Sequence, residues 1–207
     1  MRRFLWVLAV LAGCKDNTAA ASDPQRAAPT RKLAGIYPDQ WRCEAVASLE
    51  VLGQLLGGTV KQLDSALAVP HGVPHPCSYE ILGHEPEYWT FDVDCRDGMK
   101  QRADALFAQY RETASEAVAR YAQIDAGTGP RPGDAGVPAR PPEPALDVAV
   151  GAKGLDHHGV GLLFIDDDAP CYVRVTGKDA ARRLELARLI AKNLTLDNAP
   201  MTPRAHP

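Results

Sequence analysis

Three histidines and a cysteine lie close together in the first half of the chain. His71, His75 and Cys77 fall within seven residues, and His84 follows in the next turn. Imidazole nitrogens and a thiolate at short spacing are typical ligands of zinc or copper. Two prolines interrupt the segment, however, and Cys77 has candidate sulfur partners elsewhere. The sequence therefore leaves His71, His75 and His84 as metal candidates, with solvated surface-loop histidines as the alternative.

A second polar group flanks an apolar stretch in the second half of the chain. His157 and His158 precede this stretch, and Asp166, Asp167 and Asp168 follow it. A strand of this length would hold the two groups about 20 Å apart, so they cannot form one site. The aspartates also lack the spaced Asp/Asn/Gly/Glu pattern of a calcium loop. The sequence therefore favours a solvated acidic turn.

Familiar catalytic signatures are missing from the sequence. It contains no Gly-x-Ser-x-Gly elbow, no His-Glu-x-x-His zinc helix, no phosphate-binding glycine loop and no dinucleotide fingerprint. The sequence thus predicts no cofactor and favours a protein that is not an enzyme.

Four cysteines lie within the main part of the chain: Cys43, Cys77, Cys95 and Cys171. In an exported protein this even number predicts two disulfides, and three pairings are open. A hairpin register that sets Tyr79 opposite Val93 would also set Cys77 opposite Cys95, within disulfide distance. The sequence favours that pairing. The remaining two cysteines would then join the first helix to the last strand.

Two hairpin-then-helix units follow from the apolar periodicity. The first comprises strands over 77–82 and 88–95 and a helix over 100–124. The second comprises strands over 160–165 and 171–176 and a helix over 178–194. They predict an α+β fold, in which helices pack on one face of an antiparallel sheet that is stapled by disulfides.

Three more elements are predicted outside these units. Apolar residues at helical spacing predict a helix over 40–56, with Asp39 as its cap. A short helix is predicted over 60–68, and a strand over 146–150.

Composition and charge indicate a globular chain. Its 207 residues are 45% hydrophobic and 24% charged, with a net charge of −3, which argues against nucleic acid as a partner. Ten of the 20 residues over 126–145 are Gly or Pro, which predicts an internal loop. The segments on either side predict a single domain over 37–199, followed by a tail over 200–207.

The first residues carry a targeting signal. Arg2 and Arg3 precede the apolar stretch 4–12, which is too short to span a bilayer but suits a signal peptide. The stretch ends in Leu11-Ala12-Gly13-Cys14, which matches a lipobox at each position. In these residues the chain resembles a bacterial lipoprotein precursor. The resemblance implies a signal peptide over 1–13, cleavage before Cys14 and lipid attachment to the Cys14 thiol.

The residues after the lipobox predict a tether. Residues 14–36 comprise the lipidated cysteine and a polar, proline-containing segment without apolar periodicity, which is typical of disordered linkers. The membrane contact would be the lipid anchor itself. The resemblance further implies a location in the bacterial cell envelope, with the folded domain in the periplasm or at the cell surface. Lys15, rather than aspartate, follows Cys14, which favours the outer membrane over the inner membrane.

Three classes of function are compatible with these patterns. The first is a non-catalytic module that binds an envelope protein or another envelope component. The second is an envelope metal-binding protein or hydrolase that uses the histidine-rich loops. The third is a spacer domain that the lipid holds at the membrane. The sequence favours a binding or structural role over the second class.

Overall fold

A seven-stranded antiparallel sheet organises the chain. The computed structural model describes residues 33–65, 68–83, 85–125 and 141–205. Its helices are α1 (Leu49–Leu56), α2 (Met99–Asp125) and α3 (Ala180–Asn193), preceded by a 3₁₀ turn at Cys43–Ala45. Its strands are β1 (Leu33–Ala34), β2 (Thr59–Leu63), β3 (Cys77–Leu82), β4 (Glu87–Asp94), β5 (Leu146–Val148), β6 (Lys153–His157), β7 (Gly161–Ile165), β8 (Tyr172–Thr176) and β9 (Arg204–Ala205).

The strand order joins the two halves of the chain. It runs β2-β3-β4-β8-β7-β6-β5, and every neighbouring pair is antiparallel. Val93 of β4 lies opposite Val173 of β8, so strands from before and after the Pro/Gly-rich segment form one sheet. Both predicted hairpin-then-helix units are present, as β3-β4-α2 and β7-β8-α3. The α+β class and the antiparallel sheet are confirmed.

Helices cover both faces of the sheet. Leu162 and Phe164 of β7 pack in one core with Leu186 of α3, on the face that α1 also covers. Leu163 of β7 packs on the opposite face with Phe107 of α2. The position of α2 therefore departs from the predicted arrangement of helices on one face. The reason lies in β7, which is buried throughout and so needs apolar cover on both sides.

The helix ends follow from capping residues. The Asp179 side chain accepts a hydrogen bond from the Arg182 N–H and begins α3. Ser48, rather than the predicted Asp39, caps α1, and Gly57 ends it at a φ of 79°. The predicted helix over 40–56 is thus wrong in its first half. Residues 37–41 turn instead, because the N–H groups of Gln40 and Trp41 both bond to the Tyr37 carbonyl.

The short helix predicted over 60–68 is also wrong. Thr59–Leu63 forms β2, which pairs along its whole length with β3. The turn at Gly57-Gly58 brings this segment back beside β3, and pairing with that strand overrides a helical pattern of only nine residues.

The disulfides are present, but their pairing differs from the favoured one. Cys43 bonds to Cys77 with a Cα–Cα distance of 5.8 Å, and Cys95 bonds to Cys171 with a distance of 4.1 Å. The pairing of Cys77 with Cys95, and of Cys43 with Cys171, is therefore wrong.

A register difference of four residues explains the change. Tyr79 lies opposite Trp89 rather than Val93, and Cys77 lies opposite Phe91. An even shift leaves every side chain on its predicted face, so the apolar pattern fits both registers equally well. Cys95 then lies beyond the end of β3, next to the start of β8.

Both ends of the predicted domain extend further than expected. β1 pairs with β9, and Ile36 forms a bridge with Pro200. Met201 is buried, and its N–H bonds to the Ile36 carbonyl. Residues 33–36 and 200–205 are therefore part of the fold rather than of a tether and a tail.

Several predictions fall outside the described residues. These are the signal peptide, Cys14, most of the tether, His84 and most of the loop over 126–145. Within the ranges given above, the helices are too short or too polar to cross a membrane.

Candidate functional site

A groove of about 1140 Å³ lies beside one end of the large sheet. Five separate segments line it: residues 37–43, the end of β2 with the residues after it, residues 69–76, residues 95–97, and residues 201–204. The five segments that line the groove are thus far apart in sequence.

The walls of the groove are covalently braced. The Cys43–Cys77 disulfide joins the wall that ends in the 3₁₀ turn to the wall that ends in β3. Cys95, which is bonded to Cys171, also lines the groove. Five prolines add rigidity because their φ angles are fixed: Pro38, Pro70, Pro74, Pro76 and Pro203.

Hydrogen bonds hold the 37–43 wall of the groove in place. The Trp41 indole N–H donates to the Asn198 carbonyl at 2.9 Å, which ties the 37–43 wall to the segment after α3. The Arg42 guanidinium donates to the carbonyls of Asp39 and Trp41 at 3.0 and 2.9 Å. These bonds hold Arg42 against its own wall.

The charges around the groove are balanced. Three arginines line it together with three aspartates: Arg42, Arg96, Arg204, Asp39, Asp64 and Asp97. Arg96 bonds through two nitrogens to the Asp94 carboxylate, with a shortest distance of 2.6 Å, and this hydrogen bond raises the pKa of Arg96. Arg204 lies 3.5 Å from the Asp97 carboxylate. A ligand would therefore meet fixed polar groups rather than a field of one sign.

The groove contains two of the predicted metal candidates. His71 and His75 both line it and are both exposed. Cys77 is tied up in a disulfide and so cannot serve as a thiolate ligand. Throughout the part of the chain that the structure describes, no three His, Cys, Asp or Glu side chains form a group that could hold a metal ion. The two histidines can donate or accept hydrogen bonds with a ligand in the groove.

The groove also lacks the contacts of a nucleophilic centre. Ser65 and Thr202 bring hydroxyl groups to it. Among the described residues, no hydrogen bond joins either hydroxyl to His71 or His75, as it would join a nucleophile to its base.

The second histidine pair lies elsewhere. The His157 ring packs edge-on against Tyr110 at 5.8 Å, and its Nδ1 accepts a hydrogen bond from the Gly159 N–H. His158 lies 3.8 Å from the Glu143 carboxylate at an exposed position. Neither residue lines the groove, so the structure keeps the two histidine groups apart.

The acidic turn is only partly solvated. Asp167 and Asp168 are exposed, whereas Asp166 is 1% exposed, which corrects the expectation for that residue. The Asp166 Oδ1 accepts from the N–H groups of Asp168 and Ala169, so it shapes the turn between β7 and β8. Burial raises the pKa of Asp166 to about 6, against the opposing effect of these hydrogen bonds.

Sequence reasoning found the histidines of the groove but missed its other polar residues. Tyr37, Arg42, Arg96 and Arg204 belong to three segments that only the folded sheet brings together. No local spacing in the sequence connects these four residues.

Comparison of the chain with known protein families, characterised proteins and solved structures finds no match. The residues of this chain alone therefore support the function proposed below.

Proposed function

We propose that this chain is a lipid-anchored binding module of the bacterial cell envelope, and that the groove is its binding site. The groove itself carries the proposal: it is large enough for a small molecule or a peptide segment and is braced by two disulfides. Hydrogen bonds hold Arg42 and Arg96 in place before a ligand arrives, which lowers the entropic cost of binding to them.

The anchor and the location rest on the lipobox. Leu11-Ala12-Gly13-Cys14 at the end of a short apolar stretch supports lipid attachment at Cys14. Two disulfides suit the oxidising conditions outside the cytoplasm. Lys15 supports the outer membrane over the inner membrane as the site of the anchor.

Labelling with a lipid precursor tests the anchor. We expect cells fed a clickable palmitate analogue to label the wild-type chain, which fractionates with membranes. The Cys14→Ala variant should be unlabelled, because it has lost the thiol that carries the lipid. Equal labelling of both chains, or no label on either, would contradict the anchor at Cys14.

Photocrosslinking in living cells tests the groove. A photoreactive amino acid at His75 should give a discrete adduct, because this exposed side chain lines the groove. The same amino acid at Ser115, an exposed position on α2, is the matched control and should give none. The same adduct from both positions, or none from His75, would contradict binding in the groove.

A further inference from the structure

The outer edge of β2 offers a second recognition element beside the groove. In the part of the chain that the structure describes, β2 is the terminal strand of the seven-stranded sheet and pairs only with β3. Within the described ranges, no backbone group of residues 59–63 bonds to any segment other than β3. Among these described residues, the main-chain groups of β2 that point away from β3 have no backbone partner and can pair with an added strand.

This edge leads directly into the groove. Gln62 and Leu63 end β2, and both line the groove together with Asp64 and Ser65, which follow them. A strand added to β2 would thus continue along the groove. The five residues of β2 span about 17 Å, enough to pair with a peptide segment of similar length.

The groove favours main-chain recognition over charge. Among the described residues that line it, three arginines and three aspartates give no net charge, which favours neither an anionic nor a cationic ligand. Its five prolines contribute carbonyls but no N–H groups. The open N–H and C=O groups of β2 supply what the proline walls lack, namely a regular array of donors and acceptors.

We infer that the outer edge of β2 and the adjoining groove bind an extended polypeptide segment of a partner protein, which adds to the sheet as an eighth strand. This inference rests on the proposed function and specifies the ligand class.

Lys61 argues against a second copy of this chain as the occupant. It is the central residue of β2 and is exposed. Two copies of β2 paired antiparallel about their centres would set one Lys61 opposite the other, and like charges directly opposite are destabilising. A partner segment without a cation at that position avoids this repulsion.

The test uses the mature full-length protein in detergent and a pool of randomised linear octapeptides as the probe. We expect the protein to retain a subset of the pool. The best-retained octapeptide should lose at least tenfold in affinity when alternate backbone nitrogens on its paired edge are methylated, since methylation removes the N–H donors. Two analogues are made, each methylated on one of the two alternating sets of backbone nitrogens. The set that faces β2 should lose affinity when methylated, and the set that faces away is the matched control.

Amide hydrogen exchange gives the second readout. Alternate amides of residues 59–63 should exchange rapidly in the unliganded protein and become protected when the octapeptide is bound. The inference is overturned if no octapeptide is retained, if both methylated analogues bind as well as the parent, or if β2 gains no protection. It is also overturned if the protein alone is a dimer with β2 already protected. If any of these results is obtained but His75 still gives an adduct in cells, the groove remains supported as the binding site. Only the inference that the ligand is an extended peptide is then rejected.

Discussion

Gly177 shows how closely the backbone approaches a buried side chain of the sheet. Gly177 follows β8, and a Cβ at this position would lie 2.3 Å from a ring carbon of Trp89. Trp89 is fully buried, so the ring has no room to move aside.

Gly177→Ala should therefore destabilise the protein by about 1–3 kcal/mol through overpacking. Gly83→Ala is the matched control, because a Cβ there meets nothing within 4 Å. It should be neutral or slightly stabilising. Urea unfolding midpoints measure both, and equal midpoints for the two variants would contradict the packing described for Trp89.

Asp166 should make stability depend on pH. Its folded pKa of about 6 lies above the ordinary value of 3.8, so the folded state binds the proton more tightly than the unfolded state does. The contribution of this carboxyl to stability therefore rises as the pH falls from about 7 towards 4.

Asp166→Asn should remove that dependence while retaining an oxygen that accepts from Asp168 and Ala169. The measurement is the free energy of unfolding of both chains from pH 4 to pH 7.5. Asp167→Asn, at an exposed neighbouring position, is the control and should follow the wild type. If the free energy of unfolding changed with pH in the same way for the wild type and Asp166→Asn, a buried Asp166 carboxyl with a raised pKa would be contradicted.

The sequence could not separate these three aspartates. Asp166, Asp167 and Asp168 are identical in type and adjacent, and each suits a turn. Only the hairpin between β7 and β8 decides that the first side chain points inward and accepts two backbone N–H bonds. Burial of one residue in a polar run is a tertiary property.

At the scale of elements, one ion pair joins α3 to the sheet. The Arg183 guanidinium bonds to the Asp156 carboxylate of β6, with a shortest distance of 2.9 Å, and to the Gly177 carbonyl at 2.7 Å. The side chains of Arg183 and Asp156 are only 6% and 15% exposed. Loss of one partner would leave a charge in a poorly solvated position.

Arg183→Ala should cost about 3–5 kcal/mol, because it leaves the Asp156 carboxylate unpaired beneath α3. Arg174→Ala is the matched control. Arg174 pairs with Asp92 at 2.6 Å, but its side chain is 44% exposed, so its loss should cost about 1 kcal/mol or less. Thermal and denaturant unfolding of both variants test this difference, and equal losses would contradict the buried pair.

Elements with a strong apolar period could be predicted, whereas two strands without such a period could not. The bounds expected for α2 and α3 differ from the observed bounds by one or two residues, because long amphipathic stripes fix a helix. β2 and β6 were missed. Each has five residues and owes its existence to a neighbouring strand rather than to its own pattern.

At the scale of the whole molecule, strand pairing determines the disulfide partners and the groove, which local sequence patterns do not determine. The four-residue difference in hairpin register preserved every face but exchanged the disulfide partners. In the observed pairing, the Cys43–Cys77 disulfide links two walls of the groove, residues 37–43 and residues 69–76. The sequence pattern indicated only His71 and His75 of the groove, since its five segments span residues 37 to 204.

Binding of an envelope ligand in the groove is tested most directly by blocking the groove. The measurement is the yield of the His75 photocrosslinked adduct in cells, in wild-type, Ser65→Trp and Ser115→Trp backgrounds. Ser65 lines the groove, so a tryptophan there should fill the space and abolish the adduct. Ser115→Trp adds the same side chain on α2 and should leave the adduct unchanged, provided both variants accumulate and unfold like the wild type. An adduct that persists at full yield with Ser65→Trp would contradict the groove as the binding site.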